Sequence, residues 1–109
     1  MPDNAPSFPG GFEWDEAKRR TNLAKHGIDF VDALAIFDGY VDDKPDRRRD
    51  YGEERRIVLG EIARRVLVVV YTWRNGNRRL ISARRARTDE RKEYYASLTR
   101  AGAQNERPD

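Results

Sequence analysis

Cysteine is absent from this 109-residue sequence, which removes disulfides, thiolate nucleophiles and thiolate metal ligands together. Histidine occurs once, too little for an imidazole cage, so neither a metal nor another cofactor is expected. No apolar run approaches the roughly 20 residues of a membrane-spanning helix. The longest, Val66–Tyr71, follows Arg65 and is closed by Arg74 shortly after, so no membrane association is expected. The opening stretch has neither a basic nor an apolar signal-peptide region. Its Pro2, Pro6, Pro9, Gly10 and Gly11 read instead as a disordered lead over residues 1–11, and the expected location is cytoplasmic. A chain this short has material for one domain, placed at residues 12–98, with residues 99–109 read as a disordered tail.

Charge is what the chain has in quantity. Charged residues make up 38% of it, yet the net charge is only +3. Arginines gather at Arg47–Arg49 with Arg55 and Arg56, and again at Arg74, Arg78, Arg79, Arg84, Arg85 and Arg87; acids concentrate in Asp29–Asp46 and near Asp89–Glu93. Guanidinium forks match phosphate oxygens and stack on bases, so a polyanion such as RNA is one reading of this pattern. A solvated face that keeps a small domain soluble is the other.

Local signals divide the chain into helices, strands and a last helix. Asp15 is an N-cap for Glu16–His26, and Gly27 is suited to a left-handed C-cap. Phe30, Ala33, Leu34 and Phe37 then repeat at i, i+3, i+4 and i+7, which predicts a second helix stopped by Asp38-Gly39. Tyr40–Asp43 suggests a short strand, and Asp43–Gly52 a mobile basic loop. Arg55–Ile62, Val66–Trp73 and Arg79–Arg84 read as three strands with turns at Glu61–Arg65 and at Asn75-Gly76-Asn77, giving an antiparallel meander. The middle strand is apolar on both faces and should be central. Thr88 reads as the cap of a final helix carrying Tyr94, Tyr95 and Leu98 and fraying from Thr99. The class is therefore α+β: two N-terminal helices, an antiparallel sheet and a C-terminal helix. Of the two tyrosines, one belongs deepest in the core.

RNA cleavage without a metal requires help for the attacking 2′-hydroxyl, protonation of the leaving 5′-oxygen and neutralisation of the five-coordinate phosphate. Histidine is the side-chain type whose unperturbed pKa lies near neutrality, and the single one, His26, serves either that chemistry or only the helix C-terminus it sits on. Simple alternation puts Arg79 with Ile81 and Ala83 but Arg84 with Leu80 and Ser82, so the two arginines share a face only if the strand bulges. Either one clamps phosphate or pairs with Glu53 or Glu54 on a neighbouring strand.

Taken together, Phe12-Glu13-Trp14-Asp15-Glu16-Ala17-Lys18, Asn22, Lys25-His26-Gly27-Ile28-Asp29-Phe30, Gly52-Glu53-Glu54-Arg55, Val68–Thr72, Ile81–Ala86, Glu90-Arg91 and Tyr94 resemble, in order, the motifs of BrnT-type toxins. The resemblance covers about Phe12 to Leu98. It implies a RelE-like fold, a ribonuclease that inhibits translation, a BrnA-like ribbon-helix-helix antitoxin and a complex that meets operator DNA through that antitoxin. Carried onto this chain, it makes His26, Glu54, Arg79 and Arg84 the candidate catalytic residues, and Lys18, Lys25, Arg55, Arg78 and Arg85 the candidate RNA-binding residues, with no metal ligand. Asp15 and Asn22 are set aside as a cap and a helix-surface hydrogen bonder. Arg78 stands where relatives often carry an apolar residue, which leaves open whether Arg78 or Arg79 points inward. The alternatives are a non-catalytic nucleic-acid binder or corepressor, or a module that binds an acidic partner helix.

Overall fold

The computed structural model describes residues 7–8 and 11–105 of the chain. Its first helix, α1 (Glu16–His26), has the predicted bounds and both predicted caps. The Asp15 carboxylate accepts from the backbone N–H groups of Ala17 and Lys18, and Gly27 turns the chain out with φ 71°. The N-terminal half of the fold departs from expectation at the next element. Only one α-helical turn forms, α2 (Phe30–Ala33), and it passes directly into a 3-10 helix at Leu34–Asp38. The buried residues are Phe30, Ala33 and Ile36, spaced by three, which suits three residues per turn better than 3.6. The predicted pair of N-terminal helices is thus one full helix and a short tight one.

The strands form one six-stranded sheet in the order β1-β2-β6-β5-β4-β3, comprising β1 (Ser7–Phe8), β2 (Phe12–Trp14), β3 (Val41–Pro45), β4 (Arg55–Ile62), β5 (Arg65–Arg74) and β6 (Asn77–Arg85). The meander β4-β5-β6 is antiparallel as predicted, and β5 lies inside it with neighbours on both sides. The sheet as a whole is mixed, because β2 runs parallel to β6. This three-residue strand is too short for a periodic signal. The lead was expected to be disordered, but Ser7 and Phe8 pair with β2; the rest of residues 1–10 lies outside the described residues.

Both faces of β5 are covered, by different elements. On one, Leu67, Val69 and Tyr71 pack with Trp14, Phe30, Ile36, Val58 and Leu80 beneath the short helices. On the other, Val66, Val68 and Leu59 receive Tyr94 of α3 (Thr88–Asn105). Tyr94 is buried and donates to the Tyr40 carbonyl at 3.1 Å, while Tyr95 is exposed and reaches the Glu61 carboxylate, so the deeper tyrosine is Tyr94. The helix does not stop near Leu98 but continues to Asn105. Thr88 is its first helical residue rather than its cap.

Two close fits join the layers. Gly60 lets the 3-10 helix approach β4, since a Cβ there would stand 2.6 Å from the Ile36 Cβ. Beyond Trp14, β2 gives way to α1 and leaves part of the β6 edge without a strand partner. Asn22 fills that place: its amide nitrogen donates to the Ala83 carbonyl at 2.8 Å and the Ile28 carbonyl at 2.9 Å, and its oxygen accepts from the Ala83 N–H at 3.1 Å.

Candidate active site

Strand β6 supplies the arginines, and its irregularity decides how they are displayed. Val70 faces Ser82 and Tyr71 faces Leu80, so Ile81 is an extra residue with no partner on β5. Such a bulge reverses the alternation beyond it. Arg79, Ser82 and Arg84 therefore share a face, opposite Thr72, Val70 and Val68 respectively. Arg55 of β4 pairs with Thr72 and joins the same face, as does Glu13 of β2, the partner of Arg79. The condition set by the sequence for a joint role of Arg79 and Arg84 is met.

Each arginine is held by a carboxylate, though not by Glu53 or Glu54. Arg79 Nη1 donates to Glu13 Oε2 at 2.7 Å, in a pair whose side chains are nearly buried. Arg84 meets Glu90 of α3 end-on, Nη1 and Nη2 each donating to one carboxylate oxygen, at 2.7 and 2.8 Å. Glu90 also accepts the Arg87 backbone N–H at 2.8 Å, so it caps α3 while it orients Arg84. These contacts, with Arg84 first, hold the Glu90 carboxyl down at about 2. Arg84 keeps two of its five N–H donors after two go to Glu90 and one to the Arg85 carbonyl. It is oriented and still able to grip an anion.

The basic loop between β3 and β4 borders this face, and it is built around a carboxylate. Asp46 is buried and accepts from the Arg48 backbone N–H, from two nitrogens of the Arg48 guanidinium at 2.8 and 2.7 Å, and from the Tyr51 hydroxyl. Arg48 foremost holds Asp46 down at about 2. Arg48 in turn presses electrostatically on Arg84, which places the loop beside the β6 arginines. Tyr51 carries Arg55 over its ring at 4.2 Å and Arg49 at 5.1 Å. An open cleft of about 510 Å³ lies here, lined by Arg47, Arg49 and Arg55 together with Asp46, Asp50, Glu53 and Glu54. The loop is bonded internally through Asp46 and Tyr51.

The α1 residues occupy a groove of about 330 Å³ in which Lys18, Lys25 and His26 face Ile81 and Ser82. Ser82 belongs to both the groove and the arginine face, so the two regions meet along β6. Glu54 is not in that groove but lines the cleft of the basic loop, where its side chain is 71% exposed and lies 3.5 Å from the Arg56 guanidinium.

Arg78 is on the far side of the sheet. Its guanidinium sits 4.6 to 5.8 Å from the ring centres of Trp73, Phe37, Tyr71 and Phe12, an aromatic cage that substitutes for the apolar residue expected there. Tyr71 donates to Asp43, which pairs with Arg56 at 2.8 Å, and burial pushes the tyrosine hydroxyl up from its ordinary value. Arg79, rather than Arg78, is the one that shares the face of Arg84. Arg85 is exposed at the end of β6, on the opposite face from Arg84.

Glu13, Ser82, Thr72, Arg48 and Tyr51 were not singled out from the sequence. The signal for Glu13 lay in a parallel pairing that no local pattern announces. Glu90 was visible as a motif residue, but its bond to Arg84 was not. Among the described residues no cluster of three or more His, Cys, Asp or Glu side chains is arranged to hold a metal, and no helix is long and apolar enough to cross a membrane.

A comparison with curated proteins found no match. Residues 14–90, a span that includes α1, the whole β4-β5-β6 meander and Glu90, match a family described as the ribonuclease toxin BrnT of type II toxin–antitoxin systems. That description carries with it an RNA target and an antitoxin partner. The chain belongs to the BrnT family of ribonuclease toxins.

Proposed function

We propose that this chain is a metal-independent endoribonuclease of RelE-like fold whose cutting surface is the face of β6 carrying Arg79 and Arg84. The observation that carries this reading is the bulge at Ile81, which turns both arginines to one side, where Glu13 and Glu90 hold them. Two fixed guanidinium groups along one strand suit a phosphodiester that gains negative charge as the 2′-oxygen adds to phosphorus. Arg55 and the loop arginines extend the positive surface, and Lys25 and Lys18 close it on the α1 side.

His26 is the better placed of the two proton-transfer candidates. It lines the groove that shares Ser82 with the arginine face, whereas the Glu54 carboxylate, in the loop cleft, is largely exposed and contacts Arg56. Imidazole takes the proton from the 2′-hydroxyl or gives one to the leaving 5′-oxygen. The partner in this reading is a BrnA-like ribbon-helix-helix antitoxin, through which the complex meets operator DNA.

Inducing the chain in a bacterial host and following growth and total RNA, with Arg84→Ala and His26→Ala alongside, tests the proposal. Growth arrest with RNA fragments that Arg84→Ala fails to produce is expected. Cleavage by purified His26→Ala unchanged across pH 5 to 9 would remove His26 from the chemistry. Normal growth and intact RNA with soluble wild-type protein would instead favour a non-catalytic nucleic-acid binder, whose affinity falls steeply with salt while RNA stays whole.

A further inference from the structure

Away from the arginine face, the end of the sheet carries a second basic cluster. Arg64 and Arg65 at the β4-β5 turn, Arg85 at the end of β6 and Arg91 in the second turn of α3 surround a small cleft of about 110 Å³ floored by Val66 and Ala86. All four arginines are exposed, and among the described residues none forms an ion pair with a carboxylate. The neighbouring acid, Glu61, is engaged by the Tyr95 hydroxyl. Elsewhere in this chain arginines are mostly paired: Arg19, Arg48, Arg56, Arg79 and Arg84 each hold a carboxylate. Four guanidinium groups around one cleft whose lining holds no carboxylate repel one another, and an anion relieves that repulsion.

The turn that presents Arg64 adds an independent observation. Both hairpins of the meander close with two residues of positive φ. The β5-β6 turn uses Asn75-Gly76, at 53° and 82°, the residue types such a turn favours. The β4-β5 turn uses Ala63-Arg64, at 49° and 67°, a conformation that side chains with a Cβ rarely adopt. A better turn sequence was chemically available and is present one hairpin away. Strain of this kind persists where the side chain it displays has a use.

We propose that Arg64, Arg65, Arg85 and Arg91 form a second phosphate-binding subsite for the RNA strand, one residue beyond Arg84 along β6. The proposal rests on the ribonuclease reading above and deepens it. Arg85 points to the other face from Arg84, but Arg91 follows Glu90 on α3, the helix that covers the Arg84 face, so a strand lying across Arg79 and Arg84 reaches this patch by passing over the end of β6 beside α3. The subsite has no base-reading groups and would lengthen the footprint without choosing sequence.

The test uses the full chain, a fluorescein-labelled 12-nucleotide oligouridylate made uncleavable by 2′-O-methyl groups, and a trinucleotide of the same kind. The main variant joins Ala63→Asn to Arg64→Gly, which relaxes the turn and so keeps the fold; Arg91→Gln is combined with it. The expected result is 12-mer affinity about tenfold weaker, with trinucleotide affinity unchanged. The slope of log affinity against log salt should fall by about 1.4, at roughly 0.7 per lost single-strand phosphate contact. Wild-type binding matched by the variant overturns the subsite alone, while a wild type that leaves both oligomers free overturns the ribonuclease reading with it. A variant that holds the 12-mer normally but loses affinity for hexaglutamate would assign the patch to an acidic peptide and also overturn the proposal.

Discussion

Replacing Glu90 by glutamine tests how the arginine face is held together. The carboxylate accepts two nitrogens of Arg84, the backbone N–H of Arg87 and, at 3.4 Å, the Arg87 guanidinium, and it lies at about 2 instead of 4.5. At about 1.4 kcal/mol for each tenfold change in proton affinity, that difference corresponds to about 3 kcal/mol of preference for the charged form in the folded chain. Arg87 is 65% exposed, so its share is screened, and the net loss on Glu90→Gln should be about 2 kcal/mol at pH 7. Because folding depresses this carboxyl, its contribution is complete above pH 4.5 and is lost as pH falls toward 2. Urea unfolding of wild type and variant at pH 7, 4 and 3 should therefore show a gap that narrows with acid. RNA cleavage should fall in kcat more than KM rises, since Arg84 is present but no longer aimed. A stability gap of the same size at pH 7 and pH 3 would refute the argument, leaving Glu90 as a helix cap whose charge is immaterial.

Gly60→Ala should destabilise by about 1 to 3 kcal/mol because its Cβ would meet Ile36, and Ile36→Ala in the same chain should recover part of that; thermal unfolding reads both. Asn22→Ala leaves the Ala83 N–H without its buried acceptor and two carbonyls without their donor. It should cost about 2 to 4 kcal/mol in urea unfolding, with cleavage per folded molecule retained. Arg78→Met keeps an unbranched side chain among the four rings, so in a cleavage assay it should act like wild type while Arg79→Met does not; equal loss in both would return Arg78 to the cutting surface.

Where the candidate site was legible in the sequence, the signals were local. Arg79 and Arg84 could be named, but their joint display depended on Ile81 standing outside the ladder, which is a property of the pairing with β5. Arg78 and Arg79 are adjacent and chemically identical, and only the rings of Phe12, Phe37, Tyr71 and Trp73, drawn from three separate elements, distinguish them. Glu53 and Glu54 looked like natural partners because they precede a strand of the meander. The actual partners come from β2 and α3, one at each end of the described fold.

By itself the sequence determined α1 with both caps, the three strands of the meander and the Asn-Gly turn, and which tyrosine pair α3 offers to the core. Those features depend on residues a few positions apart, whose capping bonds, turn angles and side-chain periodicity operate before any tertiary contact forms. The tertiary structure alone decided the parallel pairing of β2 with β6, the 3-10 winding of Leu34–Asp38 over Gly60, the Asn22 bridge to β6 and the carboxylates that aim the arginines. Each of these satisfies a backbone edge, a packing gap or a buried charge created only when distant segments meet, so no window of neighbouring residues contains its cause.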